Sequence, residues 1–204
     1  MDEQLRAAVL DHSGHFECVE IHAEENTKSV PFRHIALAPV PDINLPNVPG
    51  LAAFYSTFNT LRLYFDEESG ESAFFIGSPN QWDEFRDQFE SWLDGIDDDE
   101  MDECVPTWVK DCLVVGEVPR SGNYLLVATS GTEAGSVFEF EHDGFEFIEL
   151  ADSLPNFVQK MLNPKSRDLT GMASHMRFIV GDWSCQWWIK EMRDNKGRTV
   201  KTKA

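Results

Sequence analysis

The amino-acid sequence predicts an α+β domain with a mixed, mainly antiparallel sheet and helices packed against it. Short apolar runs that alternate with polar positions recur between residues 61 and 148, separated by turn residues. Two longer segments, near residues 78–93 and 153–162, instead repeat apolar side chains at helical spacing. The chain has 204 residues and is 42% hydrophobic, which is enough for one sizeable core.

A short helix and a hairpin are the first sharply defined elements. Apolar side chains at helical spacing predict a helix over residues 51–58. Within residues 61–65, apolar positions alternate with Arg62 and Tyr64, as in a half-buried strand. A polar turn and a second strand at residues 73–76 complete the predicted hairpin.

The next helix is predicted to begin at Ser78. This residue can cap the helix, Pro79 fits the first helical position, and Gln81 can complete a capping box. One face of the helix repeats large apolar residues with the period of an α-helix. These residues are Trp82, Phe85, Phe89, Trp92 and Leu93. We expect all of them to lie in the core and not in a cofactor site.

Four further strands are predicted to follow as an antiparallel meander. They cover residues 113–118, 124–128, 136–141 and 145–148. Before the last of them, Asp143-Gly144 predicts a two-residue turn in which Gly144 supplies the positive φ. Asp152 and Ser153 can then cap a closing helix, which Pro164 ends.

These elements place the central domain at residues 45–162, between two extensions. Residues 1–44 show little beyond a short helix near residues 7–10, and the prolines of residues 31–50 predict a loop or linker. Residues 163–204 form the second extension. Its last twelve residues contain five bases and one acid, which predicts a disordered basic tail.

The charge of the chain is strongly negative and unevenly distributed. The formal net charge is −19; residues 1–103 hold 23 acids against 5 bases, whereas residues 104–204 hold 13 against 12. Such a field repels nucleic acid and anionic membranes and attracts basic partners. A surface that simply favours solubility would have the same composition, so that interpretation also stays open.

The N-terminal sequence and the cysteines indicate a cytoplasmic protein. Residues 1–4 lack the basic and apolar pattern of a signal peptide, and no window approaches the ~20 consecutive apolar residues of a spanning helix. The four cysteines are too sparse for a disulfide scaffold.

Signatures of catalysis and of cofactor binding are missing. The sequence contains no phosphate-binding loop, dinucleotide fingerprint, nucleophile elbow or zinc-peptidase helix, so we expect neither enzyme activity nor a cofactor. The best metal candidate is the group His12, His15, Cys18 and His22, although its spacing lacks the tight pairs of a structural zinc site. A metal-dependent enzyme that uses this group stays open as an alternative.

One neighbouring pair, His142 and Asp143, has the composition of an acid–base pair. Adjacent residues at the end of a strand point to opposite sides of the sheet. We therefore expect that the two side chains do not converge on one substrate.

The second half of the predicted domain contains several characteristic motifs at turn and core positions. They are Val118-Pro119, Gly122-Asn123-Tyr124-Leu125, Gly135-Ser136-Val137-Phe138, His142-Asp143-Gly144 and the helix start Leu150-Ala151-Asp152-Ser153-Leu154-Pro155-Asn156-Phe157-Val158. With the order of elements over residues 45–162, they resemble the SUKH superfamily of fungal cell-wall-synthesis regulators and bacterial immunity proteins. Asn59-Thr60 stands where the family commonly has Asn-Gly. The resemblance implies a SUKH-like fold and a binding domain, which in bacterial members protects the producing cell from a toxin, often a nuclease.

Charge, the missing catalytic set and the resemblance together favour a non-catalytic protein-binding domain. The first hypothesis is an immunity protein that neutralises a cognate toxin by covering its basic surface. The second is a regulatory or scaffold adaptor of the SUKH type without a toxin partner. In both cases we expect a basic protein partner, and neither nucleic acid nor a membrane. The expected contact residues are the acids Asp94, Asp97, Asp98, Asp99, Glu100, Asp102 and Glu103 and the helix acids Glu84, Asp87 and Glu90.

Overall fold

The structure is a computed structural model that describes residues 2–94, 104–176, 178–179 and 186–203. The helices described are α1 (Asp2–Asp11), α2 (Leu51–Tyr55), α3 (Trp82–Leu93), α4 (Leu154–Met161) and α5 (Ser166–His175), with 3₁₀ turns at Pro79–Gln81 and Thr107–Asp111. The strands are β1 (Gly14–Glu20), β2 (Ala23–Ala36), β3 (Leu61–Phe65), β4 (Phe74–Ile76), β5 (Leu113–Val118), β6 (Asn123–Val127), β7 (Val137–Glu141), β8 (Glu146–Ala151), β9 (Phe178–Ile179), β10 (Gln186–Asp194) and β11 (Thr199–Lys201). Among these residues, no helix combines the length and the apolar character needed to cross a membrane.

All of the described strands belong to one antiparallel sheet. Their order is β11-β10-β1-β2-β3-β4-β5-β6-β7-β8, and β9 pairs with β10. The predicted α+β class is therefore confirmed. The expected mixture of parallel and antiparallel strands is not found in the described part, because every pair there, including the long-range pair of β1 with β10, runs antiparallel.

Local sequence signals predicted the centre of the sheet correctly. The β3–β4 hairpin and the β5–β8 meander lie where the apolar alternation placed them. Ser78 and Gln81 form the expected capping box ahead of α3. Ser153 caps α4 by accepting from the backbone N–H of Asn156. The limits of two elements differ: α2 ends at Tyr55, earlier than predicted, and β8 continues to Ala151, beyond the predicted end at residue 148.

Each face of the sheet carries its own apolar core. In β6, Leu125 and Val127 lie in one core, Tyr124 and Leu126 lie in the other, and all four are buried. The larger core also contains apolar side chains of α1, α2, α4 and α5, and the smaller one contains those of α3. Because both faces are covered, β6 is apolar at every position except Asn123.

Both predicted extensions are built into the sheet. Residues 1–44 supply α1, β1 and β2, and residues 163–204 supply α5 and β9 to β11. Strand β1 pairs with β2 on one side and with β10 on the other, which joins the two ends of the chain. The predicted disordered tail is wrong, because β10 and β11 pair as a hairpin whose turn contains Gly197 at φ +81°.

The loop predicted from the prolines of residues 31–50 begins later than expected. Strand β2 continues through Pro31 to Ala36. A proline is tolerated there because β3 pairs with β2 only from Arg33 onward, so Pro31 has a partner strand on one side only. The proline density therefore indicated the loop but not its start.

A buried chain of polar groups connects the terminal segments with the central strands. Tyr64 donates its backbone N–H to His34 Nδ1 at 2.9 Å, so the ring proton of His34 lies on Nε2. This proton is donated to His12 Nδ1, at 2.7 Å, which leaves the proton of His12 on Nε2. Nε2 of His12 in turn faces Asp194 Oδ2 at 3.7 Å. The chain thus joins the end of α1 to β2, β3 and β10.

Surrounding donors keep Asp194 charged in this buried position. Burial opposes its ionisation, but the backbone N–H groups of Arg198 and Lys196 and the Arg198 guanidinium outweigh burial and hold the pKa of Asp194 below its usual value. The same guanidinium donates to the backbone oxygen of Leu162 and to Asn163 Oδ1. Arg198 therefore ties the β10–β11 turn to the end of α4.

A β-bulge explains why Tyr64 does not lie on the polar face predicted for it. The pairing of β2 with β3 is irregular between Arg33 and Ile35, and Tyr64 has a left-handed backbone with φ +56°. Leu63 and Tyr64 consequently both point into the core, where Tyr64 is fully buried. Its hydroxyl donates to the backbone oxygen of Met161. Apolar alternation assumes regular pairing, so it placed Tyr64 on the wrong face.

Acidification should destabilise the fold through His34. Burial lowers the pKa of this imidazole to about 3, whereas a histidine in an unfolded chain titrates near ~6.5. Because only the unfolded chain takes up a proton between these values, the free energy of unfolding falls as the pH drops below about 6.5. One buried histidine of this kind lowers the free energy of unfolding by about 1.4 kcal/mol between about pH 7.5 and 5.5. Urea titrations should show a shallower pH dependence for His34→Gln, while the exposed control His22→Gln should follow the wild type. An equal decline in all three proteins would contradict this role.

Removing the Arg198 side chain should destabilise the fold more than removing a comparable surface arginine. Arg198→Ala leaves the carboxylate of Asp194, whose side chain is 2% exposed, without its charged partner, and we expect a loss of about 2–3 kcal/mol. Arg33 also pairs with a carboxylate, Glu67, but both side chains are more than half exposed, so Arg33→Ala should cost less than about 1 kcal/mol. Chemical denaturation measures both values, and similar losses in the two variants would refute the assignment.

Candidate functional site

The acids predicted to contact a partner lie on α3, as far as the structure describes them. Glu84, Asp87, Glu90 and Asp94 are all exposed, and Asp83 is exposed on the same helix. The other predicted acids lie outside the described residues: Asp97, Asp98, Asp99, Glu100, Asp102 and Glu103. The described acids face solvent because the apolar side of α3 packs into the smaller core.

Most acids of the helix have no ion-pair partner. Glu90 is an exception, because its Oε1 accepts from Arg86 Nε at 2.5 Å, one helical turn away. No cationic side chain in the described part of the chain pairs with the other four, which are Asp83, Glu84, Asp87 and Asp94. The helix therefore presents an uncompensated negative field to solvent.

Trp92 lies half exposed among these acids, although its spacing predicted a core position. Its side chain is 41% exposed, whereas Phe85 and Phe89 on the same stripe are buried. Trp92 occupies the last turn of α3, where its ring packs on His142 with the centroids 4.7 Å apart and its side chain hydrogen-bonds with that of Tyr124 on β6. Periodicity indicates the direction of a side chain but not how much of it the neighbouring elements cover.

Gly122 makes this close packing feasible. It lies in the β5–β6 turn with φ +81°, a conformation that favours glycine. A Cβ atom there would lie 3.1 Å from Trp92 Cζ2 and 3.3 Å from His142 Nδ1. The absent side chain thus leaves room for Trp92 and His142 to meet above the turn.

Sequence reasoning missed the role of Asn123. This residue is 1% exposed, and a buried amide requires hydrogen-bond partners. Its Nδ2 donates to Glu139 Oε1 at 2.8 Å, and its Oδ1 accepts from the backbone N–H and Nδ1 of His142 at 3.2 and 2.9 Å. His175 Nε2 completes the group at 3.3 Å from Glu139. The single amide in an otherwise apolar strand was the signal that could have indicated this network.

The prediction that His142 and Asp143 diverge is wrong. Nε2 of His142 lies 3.0 Å from Asp143 Oδ1. Both residues belong to the four-residue turn 142–145 and not to strand β7, so the alternation of a strand does not apply to them. The positive φ of this turn is also at Phe145 (+53°), and not at Gly144 as predicted.

In the described part of the chain, one group of side chains has ligand atoms close enough together to surround a cation. It consists of Glu141, His142 and Asp143, whose ligand atoms lie within 4.8 Å of one another. Each of them is already engaged. The Glu141 carboxylate accepts from the backbone N–H groups of Asp143 and Gly144 at 3.3 and 2.6 Å. Both ring nitrogens of His142 face oxygens, those of Asn123 and Asp143. The group stabilises the turn, and we assign no metal to it.

The metal group proposed near the N-terminus is not assembled. His12 is buried against His34, and Cys18 points into the larger core. His15 lies on the opposite face of β1 from Cys18, and His22 is exposed in the β1–β2 turn. The four predicted ligands therefore do not form one site.

Burial makes two thiols poor nucleophiles. It raises the pKa of Cys18 to about 12 and that of Cys112 to about 11. Covalent catalysis by cysteine requires the thiolate, and both side chains are protonated at neutral pH. Neither residue suits that chemistry.

Comparison of the chain with protein-family models, with curated proteins and with solved structures found no match in any of the three. The SUKH-like fold and function implied by the sequence motifs therefore stay predictions.

Alanine at Gly122 should be more costly than alanine at another glycine with the same backbone conformation. Gly70 also has a positive φ (+74°), but nothing lies within 4 Å of the position of its Cβ. We expect Gly70→Ala to cost about 1 kcal/mol, and Gly122→Ala to cost about 1 kcal/mol more because Trp92 and His142 must move. Urea denaturation gives both values, and equal costs would show that the ring packing at Gly122 is loose.

Proposed function

We infer that this chain is a non-catalytic binding domain for a basic protein, and that the outer face of α3 contacts that partner. The observation that carries this proposal is the combination, on one helix, of four unpaired carboxylates with a half-exposed tryptophan. A helix that served only solubility would not need an aromatic side chain at its surface.

The carboxylates supply steering and orientation. Uncompensated charge on one face attracts an oppositely charged surface at long range and raises the rate of association. The formal charge of the chain, −19, acts in the same direction. Rim charges of this kind contribute more to the association rate than to the final affinity.

Trp92 is suited to anchor the contact. Interface affinity is concentrated in a few aromatic and arginine side chains, which are most effective when they are held in place before binding. The ring of Trp92 is held by His142 at 4.7 Å and by the close approach of Gly122. Its exposed part can accept a Lys or Arg of the partner by a cation–π contact.

The chemistry of this face supports a toxin as the partner. A toxin that grips phosphates must have a basic surface, and an acidic inhibitor can cover it. The resemblance of the turn and core motifs to SUKH proteins supports the same role, so we favour an immunity protein. A regulatory adaptor without a toxin partner would use the same face. A toxin gene immediately upstream of the gene for this chain would favour the first role over the second.

The acids of α3 should control how fast the partner binds. The partner is first identified by a pull-down from the native cell and mass spectrometry. The variant Asp83→Asn, Glu84→Gln, Asp87→Asn, Asp94→Asn should associate roughly tenfold more slowly at low salt, with a flatter salt dependence. Trp92→Ala should act mainly on dissociation and cost about 2 kcal/mol of binding free energy.

Surface plasmon resonance with the purified partner measures these rates. The matched control also removes four exposed acids, on α1 and β2 and away from α3: Glu3→Gln, Asp11→Asn, Glu24→Gln and Glu25→Gln. Association kinetics of the α3 variant that equal those of the control would remove the helix from the binding surface.

A further inference from the structure

The last strand of the sheet, β8, has one edge that none of the other described strands covers. The strand order ends with β8, which pairs with β7. Within the described ranges, no backbone group of another element bonds to its outer edge. Lys160 covers the far end, because its Nζ donates to the backbone oxygen of Leu150 at 2.9 Å. The stretch left open is residues 146–149, and an open edge of this kind can pair with another chain.

A groove of about 700 Å³ runs beside this edge. Its floor is formed by β7 and β8, including Glu139, Glu141 and Glu146, and its wall is α5, including Arg167 and His175. The groove therefore has room for the side chains of an extended segment that lies against β8.

The groove attracts positive charge. Glu146 and Glu149 are exposed, and no cation in the described part of the chain pairs with either of them. An ammonium group already occupies the neighbouring part of the same groove, where Lys160 Nζ lies 3.2 Å from Asp168 Oδ1 besides donating to the strand edge. That lysine shows how a cationic side chain can bond to a strand carbonyl and a carboxylate at once.

We propose that the open edge of β8 and the groove beside it bind an extended basic segment of a partner protein, which adds to the sheet as a further strand. Backbone hydrogen bonds to residues 146–149 supply the affinity. Glu146 shares the groove face of the sheet with Glu141 and selects Lys or Arg at the positions of the added strand that face the groove, whereas Glu149 lies on the other face. A second copy of the chain is a poor occupant, because its β8 carries the same two unpaired acids and no basic residue, so the two edges repel each other.

This surface is separate from the outer face of α3. Along β7, Glu139 and Glu141 face the groove, whereas Phe138 and Phe140 lie in the core beneath α3. The two surfaces share no residue, so the inference does not depend on the function proposed for α3.

A fluorescein-labelled peptide of four Lys-Val repeats tests the proposal, with fluorescence anisotropy for affinity and amide hydrogen exchange for location. The same peptide methylated at every backbone amide nitrogen has the same charge but no backbone N–H to donate to the ladder. We expect the unmodified peptide to bind at least about tenfold more tightly than the N-methylated peptide and to slow exchange in residues 146–149. Glu146→Lys with Glu149→Lys should weaken binding roughly tenfold. Glu24→Lys with Glu25→Lys makes the same change of net charge at exposed positions on β2 and should weaken it far less.

Four outcomes would overturn the proposal. Equal affinity for the two peptides would mean that only net charge is recognised, and equal losses in the two double variants would mean the same. Slowed exchange on α3 in place of β8 would move the peptide to the other surface. A dimer in sedimentation that Glu146→Lys with Glu149→Lys abolishes would show that a second copy occupies the edge. The α3 proposal is tested separately, by the partner's association rate with α3 variants.

Discussion

The hydrogen-bonded chain from Tyr64 through His34 and His12 toward Asp194 is the interaction on which the rest of the fold depends. It joins side chains from both ends of the sequence to the central strand β3, in a region with almost no solvent. His34 accepts through Nδ1 and donates through Nε2, so these hydrogen bonds require a neutral imidazole in one particular tautomer. They fix β2 and β3 against the end of α1, and Asp194 of β10 faces His12 Nε2 at 3.7 Å.

Carboxylates are compensated by donors in the interior of the molecule and are mostly left without cations on the surface of α3. The buried carboxylate of Asp194 is surrounded by donors from Arg198 and Lys196, because an uncompensated charge there would be very costly. On α3 the carboxylates are left without cations, which costs little in water and creates a field that extends outward. The rigid sheet beneath keeps that field in a fixed orientation, as a binding surface requires.

The polar network around Asn123 connects the buried interior with the surface of α3. It holds the turn that carries His142 and Asp143, and through His142 it positions the exposed ring of Trp92. Each of these side chains has an unremarkable sequence context. Helical periodicity predicted a core position for Trp92 although this residue lies in the last turn of α3, and strand alternation was applied to His142 and Asp143 although β7 has already ended at Glu141.

The sequence by itself determined the elements that local physics controls. Apolar alternation located the β3–β4 hairpin and the β5–β8 meander, and the caps at Ser78 and Ser153 located the helices that follow them. The acidity of α3 and its exposure followed from composition and helical spacing. Only the tertiary structure decided that residues 1–44 and 163–204 complete the sheet, that a bulge buries Tyr64, and that Trp92 reaches solvent. These features depend on pairs of residues far apart in the chain, and no local pattern records which distant strand will supply the missing partner.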